Sequence, residues 1–585
     1  MRKFLLWAAV ACLAVVSCKK DDPEADAALN VTPASITAQK TPESGYELTI
    51  NTNMAWTLSC NRSSEGWIAF DKSKGGPGVS TVTMTLTENA SGAERTATVT
   101  VTAGGKTKNV SVVQSAADTE VSAHKDAEAN EWMSAALSEY YLYCDEWDDI
   151  VAGRSSAVKL DFNMDYDKFL GAHLGKMTTN DRDGGYYSDR SRYIYSYVNR
   201  QAASRAANSF PATFGFEHLA ILYADSQHTS YVFMVMDVMA DSPAAKAGFR
   251  RGDFIAKVNG SALTNANYAS SYYKLTSQAS GTLTVTKYGE SNPVSLTAVT
   301  NLPDTPIAHS SVITTAGGKK VGYLVYRHFV SGYTDFQTYE YDQELQRIFT
   351  GFKEQGIDEM VLDLRYNPGG NVPSCVKLAS MIARSGVLNG STVFCTNKRN
   401  DKVTRREGGD DVKMFDKDMA VYNIDRSKVY VIATEASASC SELLINGLRG
   451  VDVEVVHIGT VTEGKDVGMY GLTPKDNAPI GSYTYTFWPI SFRSYNAKGE
   501  SDYNDGFTPQ YEIEELEFQN DVCDFGEKRE PMLKVALDLI DGKTPTLRAS
   551  SGTRSGNRFE VPGAEVRRVE VRDAGAKILL SDKER

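Results

Sequence analysis

The residues best suited to chemistry in this sequence are a serine-rich turn and a downstream lysine. The turn runs Ala436-Ser-Ala-Ser-Cys-Ser441, and Lys465 follows in a Gly464-Lys465 pair. A serine hydroxyl attacks a carbonyl when a base removes its proton, and a lysine amine can do so when burial lowers its pKa. Such a pair needs no buried acid. The spacing therefore favours nucleophilic chemistry with a serine nucleophile and a lysine base.

The segments around the turn predict the frame that positions these two groups. Val429–Thr434 is apolar and β-branched, as in a buried strand, and Glu442–Leu448 has leucines at helical spacing. A second apolar run, Val453–Ile458, predicts the next parallel strand. A turn between strand and helix exposes its serine, and the helix N-terminus offers free N–H groups to a developing oxyanion. Lys465 then lies in a glycine-flanked loop after the second strand.

The turn resembles the serine motif of the C-terminal-processing peptidases, the tail-specific proteases of serine peptidase family S41. Their pattern is Ser-Ala-Ser-Ala-Ser-Glu, with the middle serine as nucleophile and a downstream Gly-Lys as base. Position by position, the resemblance implies a Ser–Lys dyad of Ser439 and Lys465. It implies an endopeptidase that acts on polypeptides with no cofactor.

A second turn carries the residues that the resemblance implies for the oxyanion hole. Glu359–Leu364 predicts a fully buried strand, which leads into Asn367-Pro-Gly-Gly370. Backbone N–H groups of such a glycine-rich turn can face a negatively charged oxygen. In the family this turn supplies one half of the oxyanion hole, and the residue after the nucleophile supplies the other. Here these are Gly369 or Gly370, and Cys440.

Other interpretations of the same residues stay open at this level. The serine run could simply pack a strand–helix turn, with Lys465 solvated. Cys440 could instead be a cysteine nucleophile, but the one histidine that follows, His457, lies in an apolar run typical of a core strand. The sequence also departs from the family, because Met469 stands where many members carry a glutamine that orients the lysine. The group that orients Lys465 is therefore unidentified from sequence.

The composition excludes several classes of partner and site. The 585 residues are 42% apolar and 23% charged, as in globular proteins, and this length predicts several domains. The net charge of −12 argues against nucleic acid as a partner. The mature cysteines are scattered, without a CxxC pair or metal-ligand spacing, so no metal site is expected.

Residues 1–18 are predicted to be a targeting segment. Arg2-Lys3 form a basic region, and Phe4–Val16 form an apolar region too short to span a membrane. Val15-Val-Ser-Cys18 resembles a bacterial lipobox, which implies lipidation of Cys18 and a polar tether over residues 19–27. The expected location is the cell envelope, anchored to the outer membrane on its periplasmic or cell-surface face. The alternative is a cleaved secretory signal with an incidental cysteine.

Residues 28–116 predict a separate β-sandwich. Tyr46–Ile50, Thr81–Leu86 and Thr96–Val101 alternate in polarity between turns rich in Gly, Asn and Ser. Trp56, Trp67 and the closing Val-Val-Gln resemble the BACON domain, which implies an immunoglobulin-like fold. Core packing is the favoured role of the two tryptophans, so the unit is interpreted chiefly as a spacer. Binding of a surface glycan is the alternative.

Residues 117–208 predict a helical segment, and residues 209–300 resemble a PDZ domain. The helical segment contains an amphipathic stretch, Asn130–Leu142, and a second short helix, Asp165–Met177. The PDZ resemblance rests on Asp241-Ser-Pro-Ala-Ala-Lys-Ala-Gly-Phe249 and on Arg251-Gly-Asp-Phe-Ile-Ala-Lys-Val-Asn-Gly260. It implies capture of a peptide carboxylate at Gly215 and Phe216, with strand addition, and Leu275 could line the adjacent pocket.

The predicted architecture is therefore multidomain: sandwich, helical segment, α+β PDZ domain and, over residues 318–542, an α/β S41 domain of the ClpP/crotonase type. Residues 543–585 fall outside every resemblance, and their role is unknown. Two functions compete. One is a lipid-anchored serine endopeptidase with PDZ-assisted substrate binding, and the other is a degenerate peptidase fold that binds peptide or glycan at the surface. An α/β-hydrolase esterase fits poorly, because the sequence lacks GxSxG.

Overall fold

The structure is a computed structural model. It describes residues 28–38, 40, 42, 45–61, 66–90, 93–115, 125–186, 192–202, 212–225, 227–300, 302–303, 305–333, 338–518 and 521–546. The predicted targeting segment with Cys18, the tether, and the tail from residue 547 onward lie outside the described residues. The chain divides into two compact units, Met1–Ala123 and His124–Arg585. Within the described ranges, no helix has both the length and the apolar character needed to cross a bilayer.

The first unit contains two β-sheets that share one apolar core. Its strands are β1 Leu29–Thr32, β2 Ser35–Ala38, β3 Tyr46–Thr52, β4 Trp56–Cys60, β5 Ile68–Phe70, β6 Lys74–Gly75, β7 Gly78–Leu86, β8 Arg95–Ala103 and β9 Lys106–Gln114. The sheet orders are β1-β3-β7-β5 and β2-β9-β8-β4-β6. Every second side chain of the long strands enters the core, which accounts for the alternating polarity of the sequence.

Both tryptophans of this unit lie in its core, as predicted. Trp56 is 1% exposed and Trp67 is 4% exposed. The guanidinium of Arg95 lies 4.4 Å from the centre of the Trp67 ring, and a Cβ atom on Gly75 would come within 2.5 Å of the Trp56 indole. These contacts assign the two side chains to packing.

The second unit begins with the predicted helical segment. Its elements are α1 Ala127–Tyr140, α2 Cys144–Val151, α3 Tyr166–Leu174, β10 Gly185–Tyr186, β11 Arg192–Tyr193 and β12 Tyr197–Ala202. Helices α1 and α3 correspond to the two predicted stretches, whereas α2 was not predicted. Trp147 of α2 packs in one apolar cluster with Phe487 and Ile490, which lie far along the chain. The segment is therefore part of the same packed body as the C-terminal half.

The PDZ region is a six-stranded sheet with two short helices. Its elements are β13 Phe216–Tyr223, β14 Ser230–Val238, α4 Pro243–Lys246, β15 Phe254–Val258, β16 Ser261–Thr264, α5 Tyr268–Leu275, β17 Thr282–Lys287 and β18 Val294–Thr297. The sheet order is β13-β14-β16-β15-β17-β18, so β13 and β18 are its edge strands. The Ser242 hydroxyl accepts the N–H of Ala245 at 3.0 Å and caps α4.

The remaining elements form an α/β domain around a six-stranded sheet. Its helices and strands are β19 Ile307–Thr314, β20 Lys320–Tyr326, α6 Glu340–Gln355, β21 Glu359–Asp363, α7 Val372–Ile382, β22 Val393–Arg399, α8 Asp401–Glu407, β23 Asp411–Met414, β24 Lys428–Ala433, α9 Cys440–Gly450, β25 Glu454–Gly459, β26 Val467–Met469, β27 Tyr483–Trp488, β28 Ile490–Asn496, β29 Tyr511–Glu512 and α10 Pro531–Ile540. The main sheet has the order β19-β20-β21-β24-β25-β29. Strands β20 to β29 within it are parallel, and β19 is antiparallel.

Helices cover both faces of this sheet. Side chains of α6, α7 and α9 share one core with Leu362 and Val431, and side chains of α10 share another with Val361 and Ile432. Strands buried on both faces need apolar residues at every position, which explains the continuous apolar runs. Together, the β-rich N-terminal unit, the helical segment, the PDZ domain and the α/β domain confirm the predicted architecture.

Candidate active site

The serine turn lies at the N-terminus of α9, directly after β24. Ser439 precedes the first residue of the helix and has φ +55°, ψ −114°, an unusual backbone conformation for a non-glycine residue. The other two serines of the turn are fully buried, and both have committed hydroxyls: Ser437 donates to the carbonyl of Leu364 at 2.8 Å and Ser441 to that of Asn367 at 2.9 Å. Ser439 is only half-buried. Ser439 is therefore the only serine of this turn that is partly accessible to a substrate.

The Asn367–Gly370 turn lies against Ser439. A Cβ atom on Gly369 would lie 2.7 Å from Cβ of Ser439 and 3.0 Å from the backbone nitrogen of Cys440. Gly369 has φ +114° and Gly370 has φ +132°, both in the region that favours glycine. Glycine is thus required for this close approach, and its lack of a side chain keeps the space before Cys440 N–H open.

The backbone N–H groups here distinguish between the two glycines. The N–H of Gly369 donates to Oδ1 of its own turn's Asn367 at 2.9 Å. In the described parts of the chain, the N–H groups of Gly370 and Cys440 have no acceptor. The Sγ of Cys440 donates to the carbonyl of Gly370 at 3.0 Å and holds the two residues together. Gly370 and Cys440 are therefore the better placed donors for an oxyanion.

A buried carboxylate joins the serine turn to the lysine loop. Oε2 of Glu442 accepts the backbone N–H of Ser439 at 3.1 Å and that of Lys465 at 2.8 Å. Its Oε1 accepts the hydroxyl of Thr462 at 2.6 Å and the N–H of Gly464 at 2.7 Å. Burial raises the pKa of Glu442 to about 7, although these hydrogen bonds oppose the rise.

Sequence reasoning treated Glu442 only as the first residue of a helix. The signal that could have found it is its position three residues after the N-cap, where a carboxylate reaches back to the N-cap N–H. What no local pattern shows is that the same side chain also holds a loop that follows the next strand.

The side chain of Lys465 is half-buried, and its Nζ lies 5.0 Å from the centre of the Tyr195 ring. Over the described residues, Nζ has no hydrogen bond or ion pair, and none links it to Oγ of Ser439. The structure thus brings Ser439 and Lys465 together through their backbones and Glu442. Direct proton transfer requires the amine to approach the hydroxyl when substrate binds, and apo enzymes commonly show such loose geometry.

The residue after Lys465 is firmly anchored. Asp466 is 2% exposed, and its Oδ2 accepts from Arg182 at 2.9 Å and from Arg493 at 2.8 Å. Burial raises the pKa of Asp466, and the two arginines oppose that rise. Three residues further on, Met469 pairs with Ile490 and packs in an apolar cluster. Its side chain has no oxygen or nitrogen atom to orient the lysine.

The cysteine–histidine alternative has no support in the geometry. His457 is fully buried in β25, and its Nε2 is paired with the carbonyl of Ala433 at 3.1 Å. Burial lowers the pKa of His457 to about 4. Cys440 is 2% exposed and directs its thiol at Gly370 instead. His457 is a core histidine, as expected.

The three PDZ residues predicted to bind peptide are buried. The N–H of Gly215 already donates to the hydroxyl of Thr213 at 2.9 Å, so a peptide carboxylate would have to replace that bond. Phe216 is 2% exposed and Leu275 is fully buried, and both belong to the core of the PDZ sheet. Capture of a peptide carboxylate at Gly215 and Phe216, next to a pocket lined by Leu275, stays a prediction.

A polar contact connects the PDZ domain to the turn that carries Gly370. Arg251 of the PDZ domain forms ion pairs with Glu515 and Glu530, and it donates to the hydroxyl of Tyr366 at 3.2 Å. Tyr366 precedes Asn367 and stacks on His218 of β13 with the ring centres 4.3 Å apart. The PDZ sheet is therefore in direct contact with the residue that precedes the Asn367–Gly370 turn, the proposed oxyanion turn.

Comparison with known families agrees with this organisation. Residues 320–513 match the model of peptidase family S41, residues 234–286 match a PDZ domain, and residues 55–115 match BACON, described as a "Putative binding domain, N-terminal". A "Carboxy-terminal-processing protease" of Bartonella bacilliformis is 24% identical over 323 residues, covering 55% of this chain and 66% of the relative. A "Probable CtpA-like serine protease" of Staphylococcus aureus is 27% identical over 267 residues, covering 45% and 48% respectively.

A crystal structure from Bacteroides fragilis, described as a "Putative S41 protease", has the same fold. It is 25% identical with a TM-score of 0.56, and the match covers 70% of this chain and 97% of that one. The chain spans 48% to 66% of the two curated relatives named above. These likenesses define the class of the catalytic domain as that of the serine peptidases. Specifically, the chain carries a family S41 peptidase domain together with PDZ and BACON domains.

Proposed function

We propose that this protein is a lipid-anchored serine endopeptidase of the C-terminal-processing type. The observation that carries the proposal is the carboxylate of Glu442, which holds the backbones of Ser439 and Lys465 on one oxygen. If the serine-rich turn served only for packing, no buried carboxylate would be needed to hold the loop of Lys465 next to Ser439. The free N–H groups of Gly370 and Cys440 next to Ser439 support the same conclusion.

The proposed mechanism uses these groups in sequence. Nζ of Lys465 accepts the proton of Ser439 while Oγ forms a bond to the scissile carbonyl carbon. The N–H groups of Gly370 and Cys440 donate to the resulting oxyanion, which stabilises charge that exists only in the transition state and intermediate. The lysine then returns the proton to the leaving amine, and the acyl-enzyme forms. Water attacks it with the lysine again as base, and Ser439 is regenerated.

The PDZ domain is the proposed site of substrate recruitment. Its strand β13 lies at the edge of the PDZ sheet, and addition of a peptide strand to such an edge is the usual way in which these domains hold peptides. The contact from Arg251 to Tyr366 gives a route by which an occupied PDZ domain could affect the oxyanion turn.

Cleavage of unfolded casein by the chain without residues 1–18 tests the proposal. Ser439→Ala and Lys465→Ala are expected to abolish cleavage while circular dichroism and melting temperature stay at wild-type values. Lys475→Ala, on an exposed turn, is the matched control and should cleave normally. Cleavage by both active-site variants would exclude a catalytic dyad of Ser439 and Lys465. No cleavage by a folded wild type, across several substrates, would favour a surface protein that binds peptide or glycan.

We further propose that Cys18 is lipidated and holds the protein on the outer membrane, with the sandwich as a spacer. The support is the lipobox-like Val15-Val-Ser-Cys18 after a short apolar run. Metabolic labelling with a palmitate analogue should mark the wild type but not Cys18→Ala, and the variant should leave the membrane fraction. A Cys18→Ala protein that still sediments with membranes would exclude this anchor.

A further inference from the structure

Tyr195 is the one described side chain whose ring lies under the Lys465 amine. The distance from Nζ to the ring centre is 5.0 Å, within the range of a cation–π contact. In the ranges that the structure covers, no carboxylate and no amide accepts a hydrogen bond from this Nζ. The ring is thus its direct partner.

The Tyr195 ring is held in place from its hydroxyl end. That hydroxyl donates to Oε1 of Glu463 at 3.0 Å, and the hydroxyl of Tyr193 donates to the same oxygen at 2.6 Å. The two tyrosine rings meet edge to face with their centres 5.8 Å apart. Glu463 lies two residues before Lys465, so the loop of the lysine itself fixes the orientation of the ring.

The backbone of Tyr195 is anchored to a buried acid. Oδ1 of Asp183, which is fully buried, accepts the N–H of Tyr195 at 2.8 Å. Oδ2 of the same residue accepts the hydroxyl of Ser196 at 2.7 Å, and that hydroxyl accepts the N–H of Ile490 in β28. The tyrosine is therefore rigidly connected to the catalytic domain, although it comes from the helical segment.

We propose that Tyr195 is the positioning residue of Lys465 and stabilises the ammonium that forms when the lysine takes the Ser439 proton. This inference rests on the proposed peptidase function. It supplies a partner that Met469 cannot, since the side chain of Met469 has no polar atom and packs in the apolar cluster that Tyr195 borders. A carboxylate in contact with Nζ would favour the protonated lysine before substrate arrives. A π face also attracts the cation, but less strongly than a carboxylate in contact does, so more of the lysine keeps its lone pair available to Ser439.

The charged groups around the lysine do not provide another such contact. Among the described residues, the charged groups are Glu442 from α9, Glu463 from the same loop, and Asp466 with its partners Arg182 and Arg493. The other titratable groups are the hydroxyls of Tyr193, Tyr195 and Tyr503, the last of which lies near Glu442 and Asp466. Glu442 binds the backbone N–H of Lys465, Glu463 binds the two tyrosines and Asp466 binds the two arginines. Each of these acids is therefore engaged elsewhere.

Tyr195→Phe and Tyr195→Leu separate the ring from the hydroxyl, and Tyr483→Leu, at an exposed tyrosine of β27, is the control. Tyr195→Phe keeps the ring, whose backbone is still anchored to Asp183, and should retain casein cleavage within roughly threefold. Tyr195→Leu should lower the plateau of kcat/KM roughly 3- to 30-fold. It should also move the acidic limb of the pH profile to lower pH, because the charged lysine has lost its partner. Tyr483→Leu should leave that limb where it is.

A second readout does not depend on activity. In protein labelled with [ε-¹³C]lysine, the ring current of Tyr195 should shift the ε-protons of Lys465 upfield, with the signal assigned from its loss in Lys465→Arg. The shift should persist in Tyr195→Phe and Tyr483→Leu and vanish in Tyr195→Leu. If the wild type cleaves nothing but the shift is present, the peptidase function fails while the contact stands.

Three results would overturn the positioning role. The first is a Tyr195→Leu enzyme with wild-type kcat/KM, or with higher activity. The second is a loss of activity with an unmoved acidic limb and a wild-type melting temperature. The third is an ε-proton signal that is the same with and without the ring. If Tyr195→Leu does not fold, Tyr195→Phe still decides, because a loss as large as that of Lys465→Ala would exclude the ring as the acting group.

Discussion

The backbone N–H of Lys465 donates to Oε2 of Glu442 at 2.8 Å, so a carboxylate in the first turn of the serine helix also fixes the loop of the proposed base. The two residues are 23 positions apart, and a complete strand lies between them. Because Oε2 also accepts the N–H of Ser439, the proposed nucleophile and the proposed base share one support. The geometry of the pair thus depends on a group that touches neither reacting atom.

Replacement of Glu442 by glutamine should misplace both partners. In either orientation of the glutamine amide, its NH₂ would face at least one backbone N–H that now donates to the carboxylate, and that N–H would lose its acceptor. We expect kcat to fall roughly 10- to 100-fold, since displacements of about 1 Å at an active site cost that much. Casein cleavage and the melting temperature check this, with Glu454→Gln on the exposed edge of β25 as the control. A Glu442→Gln enzyme with wild-type kcat would show that the carboxylate is structural only.

A methyl group on Gly370 should abolish activity. Its Cβ would lie 2.0 Å from the carbonyl oxygen of Phe329, and the backbone φ of +132° is unfavourable for alanine. The turn must shift, which moves the N–H aimed at the oxyanion, and loss of one such donor costs about 10²- to 10³-fold in kcat. Gly386→Ala is the matched control, because a Cβ there meets no atom within 4 Å. Steady-state kinetics on casein decide, and equal activity of the two variants would contradict the assignment.

Removal of the Arg251 side chain should destabilise the protein where the PDZ domain contacts the catalytic domain. The side chain is 3% exposed between the carboxylates of Glu515 and Glu530, and its loss leaves buried negative charge without one of its partners. We expect Arg251→Leu to lower the free energy of unfolding by about 3–5 kcal/mol. The neighbouring Arg250 is 76% exposed, so Arg250→Leu should change it by less than about 0.5 kcal/mol. Urea unfolding measures both, and similar values would show that the ion cluster is not important for stability.

The buried His457 should make the folded state sensitive to acid. Its pKa is lowered to about 4 in the folded chain by burial, whereas an unfolded histidine titrates near its ordinary value of 6.5. The unfolded state therefore binds the proton first, and stability is lost as the pH falls from about 6.5 towards 4, by up to about 3 kcal/mol. His457→Leu should lack this part of the loss. Urea unfolding at pH 7.5 and 4.5 tests it, and an identical pH dependence in wild type and variant would exclude His457 as the cause.

The elements that the sequence predicted best are those defined by local pattern. The structure has the serine turn, the Asn-Pro-Gly-Gly turn and the apolar strands at the predicted positions. Buried parallel strands need continuous apolar residues and tight turns need glycine, so both leave a clear pattern in the sequence. Helix α2 was missed because its apolar positions, Cys144, Trp147 and Ile150, are few and lie among aspartates and glutamates.

The sequence by itself determined the class of fold, the presence of PDZ and BACON domains, and the identity of the serine and lysine that carry the proposed chemistry. Only the tertiary structure decided what holds them. Glu442 reaches a loop beyond the next strand. Tyr195 lies 268 residues before Glu463, to which its hydroxyl donates. Gly370 rather than Gly369 keeps a free N–H. The reason is physical: a hydrogen bond or a ring contact between residues far apart in the chain leaves no periodic trace in sequence. It exists only once packing has brought the two groups within a few ångströms.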